Sequence, residues 1–361
     1  MKIVDVSVAR YERPYERPIS NGKYTYTHAH FVVVELRTDE GITGVGWTDG
    51  GKVVQEAVDL LRPALLGGDP FAVERIWSRM YRPKIVGRKG LELRAISAVD
   101  IALWDLMGKA TGQPVAKLLG GYSDRVRVYI AGGYYEEGKG IVELCAEMER
   151  YLKQGAKAVK MKIGLLDIKE DLQRVRAVRE AIGPDVDLLV DANNAYTANQ
   201  AIRMGRYLDE MDIFWFEEPV SPDNIPAHAE VAAALDVPIA AGENEYTQYG
   251  FRDLIAARAV DVLNPDAKVM GGITPWRKVA LMAEAHDLPV APHGAQEVHV
   301  HLAAAFPNGL ILEYYNPNTM GLAAEMFEET LPIVDGYAPV PDRPGLGFTL
   351  NRRKLEQYRV G

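Results

Sequence analysis

The chain has 361 residues, of which 48% are hydrophobic and 25% are charged, a balance typical of a globular protein and not of a disordered one. Its length exceeds that of an ordinary single domain, so we expect two domains or one large barrel that carries an added domain. The net charge is −9, and the acidic and basic residues are interspersed. This pattern offers no basic face to a phosphate backbone, so nucleic acid is not an expected partner.

The N-terminus lacks the apolar segment of a secretion signal, because Asp5 and Arg10 interrupt its hydrophobic run. No later stretch reaches the roughly 18 apolar residues that a membrane helix needs. We therefore expect a cytoplasmic protein that does not bind membranes. The single cysteine, Cys145, cannot form an internal disulfide; it falls on a predicted amphipathic helix at residues 141–152, where a buried apolar role is expected.

Residues 1–50 alternate between apolar and polar side chains as antiparallel strands do, and the period then changes to that of helices. The predicted strands are residues 3–11, 30–38 and 43–49, and the predicted helices are residues 53–66, 72–81 and 91–109. The last of these helices should end at Gly112, which is soon followed by Pro114. This part of the chain predicts a separate α+β domain.

From Arg125 onward, eight short apolar runs alternate with helix-length segments. The runs are VRVYIAG, AKAVKMKI, VDLLVDAN, DIFWFEEP, VPIAAGE, VDVLNPD, LPVAPHG and LILEYY. This rhythm predicts an α/β fold, closed as a (β/α)₈-type barrel of about 200 residues. After Tyr315 the chain is loop-like, with prolines at 332, 339, 341 and 344, and it should run back over the first domain.

In a barrel of this kind the catalytic groups lie at the C-terminal ends of the strands. Every predicted strand from the second to the eighth ends in an ionisable residue. These residues are Lys160, Lys162, Asp191, Glu217, Glu243, Asp266, His293 and Glu313.

Three of the five acids in this set have a constant spacing, since Glu217 follows Asp191 by 26 residues and Glu243 follows Glu217 by 26. The spacing places all three on one rung of adjacent strands, where like charges repel unless a cation lies between them. An all-oxygen site without His or Cys favours Mg²⁺ over Zn²⁺. The alternative, solvated loop acids, suits a single acid better than three in register after apolar strands.

Lys160 and Lys162, separated by Met161, point to the same face of their strand, and their apolar neighbours place that face in the barrel interior. A lysine near a second cation has a lowered pKa and can act as a general base. Asp266 and His293 end neighbouring strands, where the acid can hold the imidazole in one tautomer. The alternatives are surface lysines on an exposed strand and a structural histidine.

These residues resemble the motifs of the enolase superfamily, and within it those of the mandelate racemase subgroup, over nearly the whole chain. The matching segments are K-x-K at Lys160 and Lys162, DANNAY at Asp191, FEEP at Glu217, AAGE at Glu243, NPDAKVMGGIT at Asp266, APHGAQE at His293 and LEYY at Glu313. The muconate-lactonizing subgroup would carry a lysine at the position of Asp266, so the Asp-His pair favours the mandelate racemase subgroup.

The resemblance implies a modified (β/α)₇β barrel of the TIM type with an α+β capping domain. Its expected parts are a capping domain over residues 1–123 with a substrate-specificity loop at about residues 15–30, a barrel over residues 124–320, and a C-terminal segment over residues 321–361 that returns to the capping domain. It also implies one Mg²⁺ per subunit, held by Asp191, Glu217 and Glu243, and a homo-oligomer, either a dimer or an octamer.

In the implied reaction, Lys162 or His293 removes the proton next to the substrate carboxylate, as in the Lys or His base and Mg²⁺ pattern known for this superfamily. Lys160 would lower the pKa of Lys162 and contact the carboxylate. Asp266 would pair with His293, and Glu313 would hydrogen-bond the enolate oxygen. The sequence leaves open which of the two bases acts.

The predicted loop carries many hydrogen-bonding side chains and few apolar ones, which suits a polyhydroxylated acid better than an aromatic one. Weaker candidates for substrate contact are Arg17, Lys23, Tyr24, His28 and Asn193. The run GENEYTQYGFRDLI after Glu243 also resembles that of acid-sugar dehydratases. We expect a dehydratase that converts an aldonate or aldarate into a 2-keto-3-deoxy sugar acid; a racemase or epimerase, or a sugar-lactone cycloisomerase, would use the same enolate.

Two other classes of protein share parts of this pattern. A metal-dependent barrel hydrolase would activate water and would not need lysines on one side with an Asp-His pair on the other. A sugar-binding protein would have no reason to keep three acids and two lysines buried together. The identity of the sugar acid, its stereochemistry and the number of subunits are not specified by the sequence.

Overall fold

The computed structural model describes residues 1–316 and 325–361. Its strands are β1 (Ile3–Ser20), β2 (Thr25–Thr38), β3 (Thr43–Asp49), β4 (Arg125–Ala131), β5 (Ala158–Lys162), β6 (Asp187–Asp191), β7 (Ile213–Glu217), β8 (Ile239–Ala241), β9 (Val262–Leu263), β10 (Leu312–Tyr315), β11 (Tyr337–Pro339) and β12 (Arg359–Val360). Its helices are α1 (Lys52–Leu65), α2 (Val73–Met80), α3 (Pro83–Val86), α4 (Leu91–Thr111), α5 (Val115–Leu119), α6 (Ile141–Lys153), α7 (Ile168–Ile182), α8 (Ala198–Leu208), α9 (Ile225–Ala234), α10 (Thr247–Ala256), α11 (Ile273–Glu284), α12 (Gln296–Ala305) and α13 (Arg352–Glu356).

The first domain is built on an antiparallel sheet with the strand order β12-β1-β2-β3. Strands β1 and β2 extend well beyond their predicted ends, so residues 15–30 form a hairpin and not the loop that we expected. The register pairs Ile19 with Tyr26 and Ser20 with Thr25, which leaves a turn at residues 21–24. Alternating aromatic and β-branched residues in the second arm favour strand, and the Asn21-Gly22 pair suits a turn.

Helix α4 lies against this sheet at very short range. A Cβ atom at Gly46 would lie 2.0 Å from the carbonyl oxygen of Ala98, and one at Gly44 would lie 2.1 Å from that of Ala102. Only glycine permits β3 to approach the helix this closely.

Polar contacts from three residues of α2 and α4 help to attach the first domain to the barrel. The indole of Trp77 donates to the carbonyl of Gly271 at 2.8 Å, and the indole of Trp104 donates to the hydroxyl of Thr274 at 3.0 Å. Asp100 accepts from both the backbone N–H and the hydroxyl of Thr274, at 2.8 and 2.7 Å. The cap is thus held on α11 and on the turn before it.

The barrel strands are parallel, in the order β10-β4-β5-β6-β7-β8-β9. Val290 forms bridges to Leu263 on one side and to Gly309 on the other, which closes the ring, so the predicted seventh strand is reduced to this bridge. Helices α6 to α12 each follow one of the first seven strand positions. The predicted α/β fold, a (β/α)₇β barrel with an α+β cap, is confirmed.

Side chains inside the barrel follow the period of two. An inner apolar cluster includes Ala158, Leu189 and Trp215, each lying two residues before an ionisable residue of the same strand. Met161, between the two lysines, packs outward into the layer between strands and helices. The apolar layer therefore lies directly beneath the ionisable residues inside the barrel.

The C-terminal segment contacts both domains. β11 pairs with β4, and β12 pairs with β1 of the capping sheet. The predicted boundary between residues 320 and 321 lies outside the described residues, and the domain limits stay predictions. Within the described ranges, no helix is long and apolar enough to cross a membrane.

Candidate active site

The strand ends bring ionisable side chains to one rim of the barrel. Lys162 pairs with Asp191, and Asp191 pairs with Glu217, so these three residues share a rung. Glu217 pairs with Ala240, three residues before Glu243, so the prediction that all three acids share one rung is wrong for Glu243. The reason is that β8 ends at Ala241, and Gly242, with a φ of 138°, turns the chain.

The three acids nevertheless converge. One oxygen from each of Asp191, Glu217 and Glu243 lies within 4.8 Å of the others. Asp191 and Glu217 are buried, and Glu243 keeps a buried Oε2 that has no hydrogen-bond partner in the described chain. Three carboxylates, one of which has a buried oxygen that accepts no hydrogen bond and faces only the imidazole of His293 among the described residues, fit a hard divalent cation such as Mg²⁺.

Lys160 is fully buried among these acids. Its ammonium donates to Glu217 Oε1 at 2.7 Å and lies 2.7 Å from Glu313 Oε1 and 3.5 Å from Asp191 Oδ2. Burial lowers its pKa, but the carboxylates of Glu217 and Glu313 outweigh that effect and raise the pKa well above its ordinary value. Lys160 is therefore held as a cation.

Lys162 faces the cavity, where its ammonium lies 2.5 Å from Asp191 Oδ2 and 5.1 Å from the ring centre of Tyr134. Burial and Lys160 lower the pKa of Lys162, but Asp191 and the other anions raise it above the ordinary lysine value. The predicted lowering by Lys160 is present, but it is not the dominant influence in this arrangement.

Asp266 and His293 form a hydrogen-bonded pair, with 3.0 Å between Oδ2 and Nδ1. The other imidazole nitrogen, Nε2, faces the cavity, 3.3 Å from Glu243 Oε2 and 3.2 Å from the hydroxyl of Tyr315. Burial lowers the pKa of His293, but Glu243, Glu313 and Asp266 raise it to about 10. Burial raises the pKa of Asp266, but Lys268 and His293 hold it well below its usual range.

Glu313 joins the two sides of the site. Its Oε1 faces Lys160, and its Oε2 accepts the backbone N–H of Gly294 at 2.7 Å and lies 3.7 Å from His293 Nε2. Burial raises the pKa of Glu313, but Lys160 and His293 lower it to about 2. In this arrangement Glu313 is ionised and acts as an acceptor.

A cavity of about 650 Å³ opens over these groups, and the hairpin closes part of it. Lys162, Glu243, His293 and, as expected for substrate contact, Asn193 and His28 line its walls. Asn193 Oδ1 is buried there without a hydrogen-bond partner in the described chain, which leaves it free to accept from a ligand.

Three of the weaker candidates do not line this cavity. Arg17 is exposed and borders a separate groove with Tyr135, while Lys23 and Tyr24 lie exposed in the hairpin turn. Asn21 Oδ1 accepts the backbone N–H groups of both turn residues, at 2.9 and 2.7 Å, and this Asx turn carries their side chains away from the cavity. These three residues do not line the cavity, and their contact with substrate stays a prediction.

Several cavity residues were missed in the sequence. They are Tyr15, Tyr26, Asp49, Arg94, Tyr134, Asn244, Lys268, Gln296, Glu297 and Tyr315. Most lie away from strand ends, where the barrel rule gives no reason to select them. Lys268 did carry a signal, because a lysine two residues after a buried acid is poised to neutralise it.

The helix histidine His299 is buried and connects two loops of the site. It accepts from the backbone N–H of Ala267 at 3.0 Å, and its Nδ1 donates to the carbonyl of Gly294 at 2.5 Å. It thereby holds the segments that follow Asp266 and His293.

Two family models match most of the chain. The model for the mandelate racemase / muconate lactonizing enzyme N-terminal domain matches residues 3–120, and the model described as enolase C-terminal domain-like matches residues 143–354.

Similar curated proteins include an arabinonate dehydratase from Saccharolobus solfataricus, 39% identical over 91% of this chain and 90% of the relative. They also include a 3,6-anhydro-alpha-L-galactonate cycloisomerase from Streptomyces coelicolor, 40% identical over 91% of each protein. A solved structure of L-talarate/galactarate dehydratase from Salmonella typhimurium, liganded with Mg and L-lyxarohydroxamate, superposes with a TM-score of 0.93 at 34% identity, over 100% of this chain and 93% of that one.

The magnesium in that related structure and the acid group described above support Mg²⁺ as the cofactor, as predicted. The fold, the family models and these relatives agree with the motifs along the chain. The chain belongs to the mandelate racemase / muconate lactonizing enzyme family of the enolase superfamily, within the mandelate racemase subgroup.

Proposed function

We propose that this chain is a Mg²⁺-dependent acid-sugar dehydratase, a hydro-lyase that converts a sugar acid into its 2-keto-3-deoxy product. The observation that carries the proposal is that Lys162 and His293 line one cavity beside a three-carboxylate metal group. Dehydration of a 2,3-dihydroxy acid requires a base for the α-proton and an acid for the departing hydroxyl. Lys162 and His293 can fill these two roles, and the reaction does not require metal-activated water.

Asp191, Glu217 and Glu243 would hold the Mg²⁺. When bound, the ion supplies Lewis-acid stabilisation of charge that develops on the substrate carboxylate. Lys160, a buried cation, would contribute positive charge on the same side. The rest of the reaction depends on proton transfers by side chains of the cavity.

In the proposed sequence, Lys162 or His293 takes the α-proton, and a proton then accompanies the hydroxyl that leaves the neighbouring carbon as water. The enol that remains tautomerises to the 2-keto acid, so atoms and charge balance. A base must first lose its own proton, and the ion pairs of Lys162 with Asp191 and of His293 with Glu243 oppose that loss. A cation bound to these two acids would draw their charge away and favour the neutral bases.

Asp266 would fix the Nδ1–H tautomer of His293 and leave Nε2 toward the substrate. For Glu313 to donate to the enolate oxygen, it would have to gain a proton that its low pKa here disfavours. We therefore propose that Glu313 acts mainly as the acceptor that orients Lys160 and Gly294. Asn193 and His28 are proposed to contact substrate hydroxyls.

An isomerase is the second candidate function, because a cycloisomerase is among the similar proteins at 40% identity. A racemase or epimerase would return the proton to the same carbon from the opposite base, and a cycloisomerase would rearrange a lactone through the same enolate. All three share the removal of the α-proton and differ in the fate of the intermediate.

The test is a screen of the enzyme with Mg²⁺ against monoacid and diacid sugars, with 2-keto acid formation measured by semicarbazide. We expect keto acid from one or a few sugars and none from Lys162→Ala. Arg203→Ala, an exposed arginine of α8 that does not line the cavity, is the matched control and should keep full activity. Exchange of the α-proton with D₂O without keto acid would replace the dehydratase by an isomerase, and no exchange with any acid would contradict the proposed function.

A homo-oligomer, a dimer or an octamer, is proposed by resemblance to the family. The cytoplasmic location stays a prediction.

A further inference from the structure

The wall of the cavity on the side of the capping domain carries charged residues for which the proposed reaction has no use. Asp49 at the end of β3, Arg94 on α4 and Lys268 after β9 all line this wall. Lys268 is only 7% exposed, whereas the side chain of Asp49 is 43% exposed. We refer to Asp49, Arg94 and Lys268 as the cap-side cluster.

The cap-side cluster is adjacent to the Asp266–His293 pair, because Lys268 lies next to Asp266. Asp266 Oδ2 lies 3.0 Å from His293 and 3.8 Å from the ammonium of Lys268. That ammonium donates to Asp49 Oδ2 at 2.7 Å, and the same oxygen lies 3.8 Å from Arg94. The cluster and His293 line the same cavity, so a substrate whose reacting carbons face His293 can place its far end against the cluster.

The charges of the cluster are already balanced. Both cations face Asp49, and Lys268 also faces Asp266. Glu297 adds another acid to the same wall. Each cation of the cluster therefore already faces a carboxylate among the described residues.

The acid is also fixed in place by backbone contacts. Asp49 pairs with Phe31 in the register of the sheet, and the hydroxyl of Thr48 donates to the carbonyl of Lys268 at 2.7 Å. The end of β3 and the loop that carries Lys268 are thus tied together. These contacts fix the backbone of Asp49, and its carboxylate can turn away from the cavity only by giving up the 2.7 Å bond from Lys268.

We infer that the far end of the substrate is an uncharged polyol, and that Asp49 is the specificity residue that rejects a second carboxylate. The preferred substrates are then aldonates and not aldarates. This inference rests on the proposed function, because it names the class of acid sugar that the same site takes.

The physical reason lies in desolvation. A second carboxylate would lose its water beside an acid and would find only cations that are already paired. A terminal hydroxyl costs less to desolvate, and it can donate to Asp49 while it accepts from Lys268 or Arg94. The cluster therefore favours the hydroxymethyl end over the carboxylate end.

The test compares acid sugars in matched pairs that differ only at the far carbon, such as gluconate with glucarate and galactonate with galactarate. For each pair, kcat/KM for keto acid formation and the affinity by calorimetry with Mg²⁺ are measured. We expect the wild-type protein to favour the monoacid at least tenfold in every pair that is turned over or bound.

Asp49→Asn should reduce that preference at least tenfold, chiefly through the KM and affinity of the diacid, because it frees two cations. Arg94→Gln in the Asp49→Asn background should then weaken diacid binding again. Asp5→Asn is the matched control, a half-exposed acid of the same sheet that is paired with Arg37 outside the cavity. It should leave the ratio unchanged.

Equal or better use of diacids by the wild-type protein would overturn the inference, as would an unchanged ratio in Asp49→Asn. Failure of the proposed function has a different signature, because selective binding of monoacids without keto acid would support the cap-side assignment and refute the dehydratase. If no acid sugar is turned over or bound, both fail.

Discussion

The two lysines of the Lys-Met-Lys run face different surroundings, and this difference separates their roles. Lys160 has no exposed surface and is bonded to Glu217 and Glu313, so it can supply charge but has no room to exchange protons with water. Lys162 lines the cavity, and among the described residues its one ion pair is with Asp191. Of the two, only Lys162 is placed to meet an α-proton.

The Asp266–His293 pair gives a prediction at the residue scale. In Asp266→Asn, an amide replaces the carboxylate that accepts the Nδ1–H of His293. The imidazole is then no longer held in the tautomer that leaves Nε2 free to accept a proton. We expect kcat for keto acid formation to fall by about 10²–10⁴, as when a triad Asp is changed to Asn, with KM altered much less. Steady-state kinetics measure both values.

Asp253→Asn, an exposed acid on α10, serves as the matched control and should be fully active. A fall confined to KM would show that Asp266 serves binding and does not govern the state of His293.

At the scale of elements, the alternation of inward and outward side chains along a strand explains which site residues can be predicted from the sequence. Strands β5, β6 and β7 alternate inward and outward side chains, so the shared rung of Lys162, Asp191 and Glu217 follows from spacing alone. Glu243 could not be placed in this way, because β8 has only three residues and the register changes beyond it.

The hairpin was missed because β1 contains Pro14 and Pro18, which interrupt the strand pattern and accompany a register shift before Ile19. Asp49 and Lys268 could not be paired from sequence, since they are 219 residues apart and meet only when the cap packs on the barrel. The ionisable residues at strand ends can be predicted from the local sequence, whereas contacts between the two domains cannot.

The contact of β3 with α4 gives a prediction at this scale. In Gly46→Ala, the added methyl group would lie 2.0 Å from the carbonyl of Ala98, so the strand and the helix must separate. We expect the free energy of unfolding to fall by about 3 kcal/mol, as for other overpacked sites, in urea titrations.

The matched control is Gly51→Ala, where nothing lies within 4 Å of the added atom. Gly51 is the N-cap residue of α1, and its substitution should lower the free energy of unfolding by well under about 1 kcal/mol, less than a typical helix N-cap substitution. Equal losses in both variants would mean that close packing of β3 on α4 is not what requires glycine at position 46.

For the whole molecule, the three-acid group predicts that Mg²⁺ stabilises the fold. Repulsion among Asp191, Glu217 and Glu243 is relieved by a cation, so the native state binds Mg²⁺ and the unfolded chain has no such site. At 100 times its Kd the ion should add about 2.7 kcal/mol, which EDTA removes and calorimetric unfolding detects. In Asp191→Asn the Mg²⁺-dependent rise in Tm should be lost, and its persistence there would place the ion elsewhere.

Buried groups titrate in opposite senses across the molecule, so total stability against pH does not report any one of them. The pKa of Asp100 is raised to about 7 by burial, which favours the folded state as pH falls. The pKa of His228 is lowered by burial from 6.5 to about 4, and its Nδ1 has no hydrogen-bond partner in the described chain. The unfolded chain therefore binds the His228 proton first as the pH drops.

A difference measurement isolates this histidine. The contribution of neutral His228 to the free energy of unfolding is complete above pH 6.5. It is lost as the pH falls from about 6.5 to about 4, where His228 of the folded protein also becomes protonated. In His228→Leu that loss is absent, so the unfolding free energy of the variant minus that of the wild-type protein should rise by up to about 3 kcal/mol between pH 8 and pH 4. His286→Leu, at an exposed histidine, should show a flat difference. A flat difference for His228→Leu as well would mean that His228 is hydrated or paired in solution, and that its burial does not oppose protonation.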